Sequence, residues 1–315
     1  MLNPKFSINE LIDRRDAHGN GLHAIPYAVL RASERAELHV RPMFSGEEST
    51  VLDVLNVQPV HNVMIIGLVL DNGLESPKNR GMWYGCFSNG NLVAVALIGH
   101  YVFLSGDQES AQAFANTARL HHSSEVKIIL GEQPLADAFY RSFSAPPASR
   151  ALHSNTDHLL LSSSRIKCEQ TRFMNLRKAR LDETEEIAKI NSGAFMELYG
   201  INPETNDPKG FRQRLRNRVE MGRVWVLTDA GGIAFKAEVA SSTKDAAYLE
   251  GILTRPEIRG TGVGSIALQS LCGQLLEEHK VLCLLADAAN PRTVSFYRNI
   301  GFAQVASYRL IRYQS

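Results

Sequence analysis

Cysteine is scarce in this 315-residue chain: Cys86, Cys168, Cys272 and Cys283 are the only four, and no two form a CxxC pair. That excludes a disulfide scaffold and fits a reducing, cytoplasmic setting. Long apolar runs are missing as well. The two longest, residues 63–70 and 92–99, have eight residues each, against ~20 for a membrane span; both are expected to be core strands, and no membrane partner is expected. Charge of one sign is not in excess, since 34 Lys and Arg against 33 Asp and Glu leave +1. Such a chain lacks the field of a nucleic-acid-coating protein. The ten histidines form no HExxH motif, so no metal is expected. The first twenty residues mix acids and bases without an apolar block, unlike a secretory signal or transit helix.

What is present is globular: 44% hydrophobic and 21% charged residues, in a length that suggests two domains of ~150 residues. Residues 1–45 read as an extension. Residues 46–165 read as a strand-rich domain (VMIIGLVL, GMWYGCF, NLVAVALIGHYVFL, VKIIL) with helices over 109–121 and 134–143. The passage SFSAPPASRALHSNTDH reads as a connector before the apolar run HLLLSSS. Residues 170–315 read as β-α-α-β-β-β-loop-α-β-α-β, with Asp182 and Glu185 as a capping box for the first helix and Phe211, Leu215 and Val219 as the inner stripe of the second.

An internal echo links the halves. KIIL is followed by Pro134 and then Phe139-Tyr140-Arg141; LCLLA is followed by Pro291 and then Phe296-Tyr297-Arg298. Strand, proline, spacing and tripeptide agree together, which favours two copies of one fold.

The strongest chemical signal is Arg259-Gly260-Thr261-Gly262-Val263-Gly264, between a strand and a helix. Backbone N–H groups of such a loop, with the positive end of the helix behind them, suit a pyrophosphate. No lysine follows the glycines, which argues against a Walker A loop. Residues 255–258 separate the strand from the glycines, and the preceding strands look antiparallel, which disfavours a Rossmann site. The loop, with Asn290 and Tyr297 before Gly301-Phe302 in NPRTVSFYRNIGF, resembles the pyrophosphate motif and its sequel in the GNAT superfamily of acyl-CoA N-acyltransferases. More closely, WVLTDAGGIAFKAEVA and LTRPEIRGTGVG look like tandem proteins with a degenerate N-terminal GNAT-like domain ahead of an intact one.

The resemblance implies an α/β (α+β) fold of two tandem domains, each a twisted mixed sheet flanked by helices, with a splayed central strand in the second. It implies that acetyl-CoA donates an acetyl group to a small-molecule or peptide primary amine by direct attack. A longer acyl-CoA or acyl carrier protein donor, or a non-catalytic CoA-binding regulator, is the alternative. Carried over, Ile252, Leu253 and Thr254 would bind the pantetheine arm through their backbone; Arg259, Gly260, Thr261, Gly262, Val263, Gly264 and Ser265 would hold the pyrophosphate; Asn290 would touch the coenzyme; and Tyr297 would protonate the departing thiolate. A base must deprotonate the amine. Glu238 and Glu250, each a carboxylate inside an apolar strand, are the candidates, while Leu285 stands where some relatives place a glutamate. Glu197 and Tyr199 border the implied acceptor site. In the first half, residues 102–107 keep a single glycine where the loop would be, so no coenzyme is expected there. The sequence leaves the oligomeric state open.

Overall fold

The computed structural model describes residues 37–145, 151–166, 175–200 and 202–314. The first half runs β1 (Leu38–Pro42), α1 (Glu48–Leu55), α2 (Val63–Asn72), β2 (Gly81–Ser88), β3 (Asn91–Gly99), β4 (Tyr101–Ser105), α3 (Gln108–His121), β5 (Ile128–Glu132), α4 (Gln133–Phe143) and β6 (Leu152–Ser163). The second repeats the order with one short helix, α6, added: β7 (Leu176–Lys178), α5 (Thr184–Tyr199), α6 (Pro203–Asn206), α7 (Pro208–Glu220), β8 (Val224–Asp229), β9 (Gly232–Ser242), β10 (Ala246–Thr254), α8 (Val263–Leu275), β11 (Val281–Asp287), α9 (Pro291–Ile300) and β12 (Ala303–Tyr313). The repeated Phe-Tyr-Arg tripeptide thus lies on equivalent helices, α4 and α9.

All twelve strands among the described residues form one mixed sheet, β1-β2-β3-β4-β5-β12-β6-β11-β10-β9-β8-β7. Each half contributes an antiparallel series ending in a parallel pair, β4 with β5 and β10 with β11. The halves join by exchange. β6 pairs with β11, β12 pairs with β5, and β6 and β12 pair with each other. The last strand of each half therefore completes the other half's sheet.

On one face, α8 and α9 bury Leu268, Leu271, Val294 and Ile300 against Ala237, Leu249 and Leu284, and α3 and α4 bury Phe114 and Phe139 against Ala96, Val102 and Ile129. On the other, α5 and α7 bring Ile187, Phe211 and Leu215 onto Val224, Val226 and Ile233. Burial of each such side chain stabilises the fold by ~1.5–3 kcal/mol.

The apolar run at 63–70 is a helix, not the strand its hydrophobicity suggests. Helix α2 packs Ile65, Ile66 and Val69 against Trp83, Val95 and Leu97 of the first half, and Val63 against Tyr248, Cys283 and Tyr308. A helix covered from two sides is apolar all round, and periodicity cannot separate it from a buried strand. Gly67 lets it lie directly on Ser241, whose hydroxyl donates to the Val63 carbonyl at 2.6 Å, and Arg223 pairs with Asp71 at the far end. The polar text from Leu152 is also not loop but the first part of β6, because backbone pairing with β12 overrides its weak strand propensity. The capping box is shifted. Glu183, not Glu185, accepts the Arg180 N–H at 2.7 Å, and it also binds Arg177. The connector core (146–150), residues 167–174 and the extension up to residue 36 lie outside the described residues. None of the described helices is long and apolar enough to cross a membrane.

Candidate active site

Period-2 alternation along β9 sends Phe235 and Ala237 under α8 and turns Lys236 and Glu238 toward α5 and α7. Glu250, opposite Glu238 in the β9–β10 register, joins them. Glu238 is 2% exposed and Lys236 1% exposed. One Glu238 oxygen accepts from Lys236 Nζ at 2.7 Å and Asn191 Nδ2 at 3.0 Å; the other accepts from Arg218 Nη1 at 2.6 Å. The same Arg218 nitrogen reaches Glu250 Oε1 at 2.5 Å. Burial alone would raise the Glu238 pKa, but Lys236 and Arg218 outweigh it and hold the carboxyl down at about 2. The two carboxylates face the same side with unequal surroundings. Glu238 is saturated with donors, whereas Glu250 is held by Arg218 and sits nearer solvent.

The donor side begins where β10 leaves β11. Their parallel pairing ends at Leu249–Leu284, and a bulge between Glu250 and Leu253 shifts the register with β9, its Gly251 carbonyl held by Lys236 Nζ at 3.0 Å. Ile252, Leu253 and Thr254 therefore stand on the splayed end of β10, which was expected of the second half. Beyond it, Gly260 and Gly262 adopt φ of +85° and +90°, and an added Cβ at either would meet nothing within 4 Å. The loop lies open, and its two positive-φ positions are entered without strain only by glycine. Gly262 is the N-cap of α8 and offers no side chain to cap it, so no side chain occupies the first-turn N–H groups of α8 from the cap position. Gly264 instead packs against Thr254, where a Cβ would collide with its side chain. Thr261 Oγ1 donates to the Ile258 carbonyl at 2.8 Å; Val263 packs at the edge of the core, and Ser265 follows in the first turn of α8.

Arg259 binds the Thr254 carbonyl through Nε at 3.1 Å and Glu197 through Nη1 at 3.3 Å. A cavity of about 350 Å³ opens beside this pair, between α5 and the end of β10, lined among others by Lys189, Ile190, Gly193 and Leu253. The Tyr199 side chain lies outside what the structure describes. Asn290 caps α9, its Oδ1 accepting from Thr293 N at 3.0 Å. Tyr297 is 8% exposed, meets Phe296 and Phe302 edge-on, and has its phenol pushed up to about 12, chiefly by burial. Leu285 lies on β11 opposite Leu160. The site residues thus fall into a donor group around the splay and a carboxylate group on the α5–α7 side of β10.

The first half closes the equivalent place. Helix α3 is capped by Asp107, whose Oδ1 accepts from Ser110 N at 2.9 Å while Asp107 N donates to Ser110 Oγ at 3.0 Å. A carboxylate already occupies the positive end of that helix. Among the described residues, no group of three or more His, Cys, Asp or Glu side chains is placed to hold a metal ion.

Sequence reading missed the roles of Arg218 and Lys236. Arg214 and Arg216 pair on the surface with Asp207 and Glu220, but Arg218 turns inward to Glu238 and Glu250. Its position three residues after Leu215 beside the buried stripe was the available signal. Lys236, two residues before Glu238 on one strand face, was another. Replacing Lys236 by Met should cost about 3 kcal/mol in chemical denaturation, because Glu238 stays buried with one cation fewer. The Glu238 contribution is complete above the ordinary carboxylate value of 4.5 and is lost as pH falls toward about 2; Glu183, held at about 2 chiefly by Arg177, titrates in the same window. Unfolding measured against pH should therefore steepen below 4.5, and less so in Glu238→Gln.

Residues 186–302 match the model of the acetyltransferase (GNAT) family. The chain resembles a GNAT-family acetyltransferase from Colwellia psychrerythraea at 15% identity, covering 88% of this chain and 100% of that one with a TM-score of 0.54. It resembles a Drosophila protein at 12% identity, covering 87% and 98%, TM-score 0.61. It also resembles a tandem GNAT protein from the clavulanic acid biosynthesis pathway at 12% identity, covering 87% and 98%, TM-score 0.52. No curated protein matches by sequence. The fold is the mixed α/β fold of these GNAT structures. Residues 186–302 carry the match to the acetyltransferase (GNAT) family, and the fold over most of the chain is like that of solved GNAT proteins, one of them tandem.

Proposed function

We propose that residues 170–315 form an N-acetyltransferase that moves the acetyl group of acetyl-CoA to a primary amine in a ternary complex, and that residues 46–165 are a degenerate copy that binds no coenzyme. The observation that carries this is the open, positive-φ glycine loop at the uncapped start of α8, next to the splay between β10 and β11. Residues 259–265 would hold the pyrophosphate, the backbone of Ile252, Leu253 and Thr254 the pantetheine arm, and Asn290 the coenzyme's edge.

Glu250, directly or through water, takes the amine proton; Glu238, held at about 2 and saturated with donors, keeps Arg218 in place instead. The amine nitrogen bonds the acyl carbon and the C–S bond breaks. Tyr297 then gives a hydrogen bond to the departing sulfur. At a pKa of about 12 it stays protonated, though a free thiol near ~8.5 would not strip the phenol of its proton, so stabilising developing thiolate charge is its main work. Acceptors enter past Glu197 and Tyr199. The cavity beside Leu253 and Ile190 gives room for an acyl chain longer than acetyl, the alternative donor reading.

Titration calorimetry with acetyl-CoA, using NAD as the control ligand, tests the donor side. One acetyl-CoA per chain is expected. Binding of NAD instead would overturn the reading, tighter binding of octanoyl-CoA would move it to longer donors, and binding without turnover on any amine would leave a CoA-binding regulator.

A further inference from the structure

Lysine is a costly side chain to bury, and Lys236, in the middle of β9, is 1% exposed. Its ammonium carries three hydrogens, and three acceptors meet them: Asn191 Oδ1 of α5 at 2.8 Å, Glu238 Oε1 at 2.7 Å and the Gly251 carbonyl of β10 at 3.0 Å. Two of these acceptors are locked to each other, since Asn191 Nδ2 donates to the same Glu238 oxygen at 3.0 Å. The third is main chain. It belongs to the bulge between Glu250 and Leu253, which follows directly on the last β10–β11 pair, Leu249–Leu284.

A bulge disrupts the ladder locally and leaves backbone groups in need of other partners; here a buried cation serves one of them. Gly251 makes the approach possible: at φ +55° a Cβ would stand 2.9 Å from Lys236 Nζ and 3.2 Å from Glu238 Oε1. The Gly251 carbonyl and the Ile252 N–H share one planar trans peptide and point opposite ways. A charge-assisted bond on the oxygen therefore fixes the direction of that N–H and strengthens it as a donor. Just downstream, Leu253 and Thr254 line the cavity of about 350 Å³ together with Lys236. The glycine loop is held by other bonds, from Arg259 Nε to the Thr254 carbonyl and from Thr261 Oγ1 to the Ile258 carbonyl, and supplies none of the three Lys236 acceptors.

We propose that Lys236 is a positioning residue for the coenzyme arm: through the Gly251 carbonyl it sets the peptide plane from which Ile252, Leu253 and Thr254 leave the register, and it serves the pantetheine end of acetyl-CoA without serving the pyrophosphate end. Asn191 and Glu238 keep the ammonium aimed. Arg218, bonded to both Glu238 and Glu250, ties the same network to the carboxylate that takes the amine proton. The proposal rests on the acyltransferase reading of the second half. It gives a functional use to a buried ion pair, which as a pure stability device apolar side chains of similar volume can often replace.

Calorimetry on the full chain compares acetyl-CoA with 3′-phospho-ADP, which keeps the pyrophosphate and lacks the arm. Lys236→Met should weaken acetyl-CoA binding about tenfold and leave 3′-phospho-ADP binding within about twofold of wild type. Because Lys236→Met also lowers stability, two further variants accompany it, each checked for folding by circular dichroism. Gly251→Ala pushes the carbonyl away while Lys236 keeps Asn191 and Glu238, and should show the same split; it carries the test alone if Lys236→Met does not fold. Leu215→Ala, in the core under α7, destabilises the fold away from the bulge and should leave both affinities within about twofold. Equal loss of both ligands in Lys236→Met, the same split in Leu215→Ala, or unchanged acetyl-CoA affinity in Gly251→Ala would overturn the proposal and leave Lys236 a structural residue. Failure of the wild-type chain to bind either ligand would instead strike the coenzyme reading beneath it, and the wild-type titrations tell the two apart.

Discussion

Tyr297→Phe is expected to lower turnover by about a hundredfold or more while acetyl-CoA affinity stays within about twofold. The side chain packs its ring edge-on against Phe296 and Phe302 in the α8–α9 core, and phenylalanine reproduces that packing, so the fold should be unaffected. What is lost is one hydroxyl. Because burial pushes its pKa to about 12, the phenol remains a donor throughout the working range, and no activity loss at high pH should trace to Tyr297 below that value. The alkaline limb of the pH profile should therefore be set elsewhere and should be the same in wild type and variant. Kinetics with a saturating amine, alongside calorimetry, separate the loss of kcat from any loss of binding. Equal turnover in the variant would remove Tyr297 from the chemistry and leave it as core.

How far the sequence carried the fold can be judged element by element. The second half was legible because its signals are local: the Asp229-to-Gly232 turn joins β8 to β9, Pro208 and Pro291 open helices, and glycines mark the open loop. Where tertiary contacts decide, reading failed. Residues 63–70 are apolar on every side because two halves cover them, so their period was hidden. The polar start of β6 is a strand because β12, some 150 residues away in the chain, supplies its backbone partners. The exchange of β6 and β12 leaves no local trace either, since pairing partners are not written in the residues that pair. In the site, Glu238 and Glu250 could be found as carboxylates in apolar strands, but their inequality depends on Arg218 and Lys236 arriving from α7 and β9. That is a fact of assembly.

The second large effect is expected at the glycine loop: Gly262→Asp should weaken acetyl-CoA binding by at least about a hundredfold while leaving the molecule folded. Two physical causes act together. At φ +90° any residue other than glycine is strained, by roughly 1–2 kcal/mol for an ordinary side chain and less for Asp, which tolerates this region better than most; that is too little to unfold the domain. The larger cause is charge. A carboxylate at the N-cap would bond the first-turn N–H groups of α8 and neutralise the positive helix end a pyrophosphate would use. The protein already contains this arrangement in its first half, where Asp107 caps α3 and is bonded to Ser110. The variant would convert the open start of α8 into a copy of the closed start of α3. Circular dichroism and thermal unfolding should show an intact fold, and calorimetry should show the loss. The comparison with Gly262→Ala isolates the charge: alanine brings more of the backbone strain without the carboxylate and should bind more tightly than aspartate. If both variants bind acetyl-CoA like the wild type, the pyrophosphate does not lie in this loop. If they fail equally, conformation rather than charge governs it. The reverse change, Asp107→Gly, should destabilise α3 by a few tenths of a kcal/mol and, because Gly106 packs against Ala94 and Ser110 rather than lying open like Gly260 and Gly262, should still bind no coenzyme.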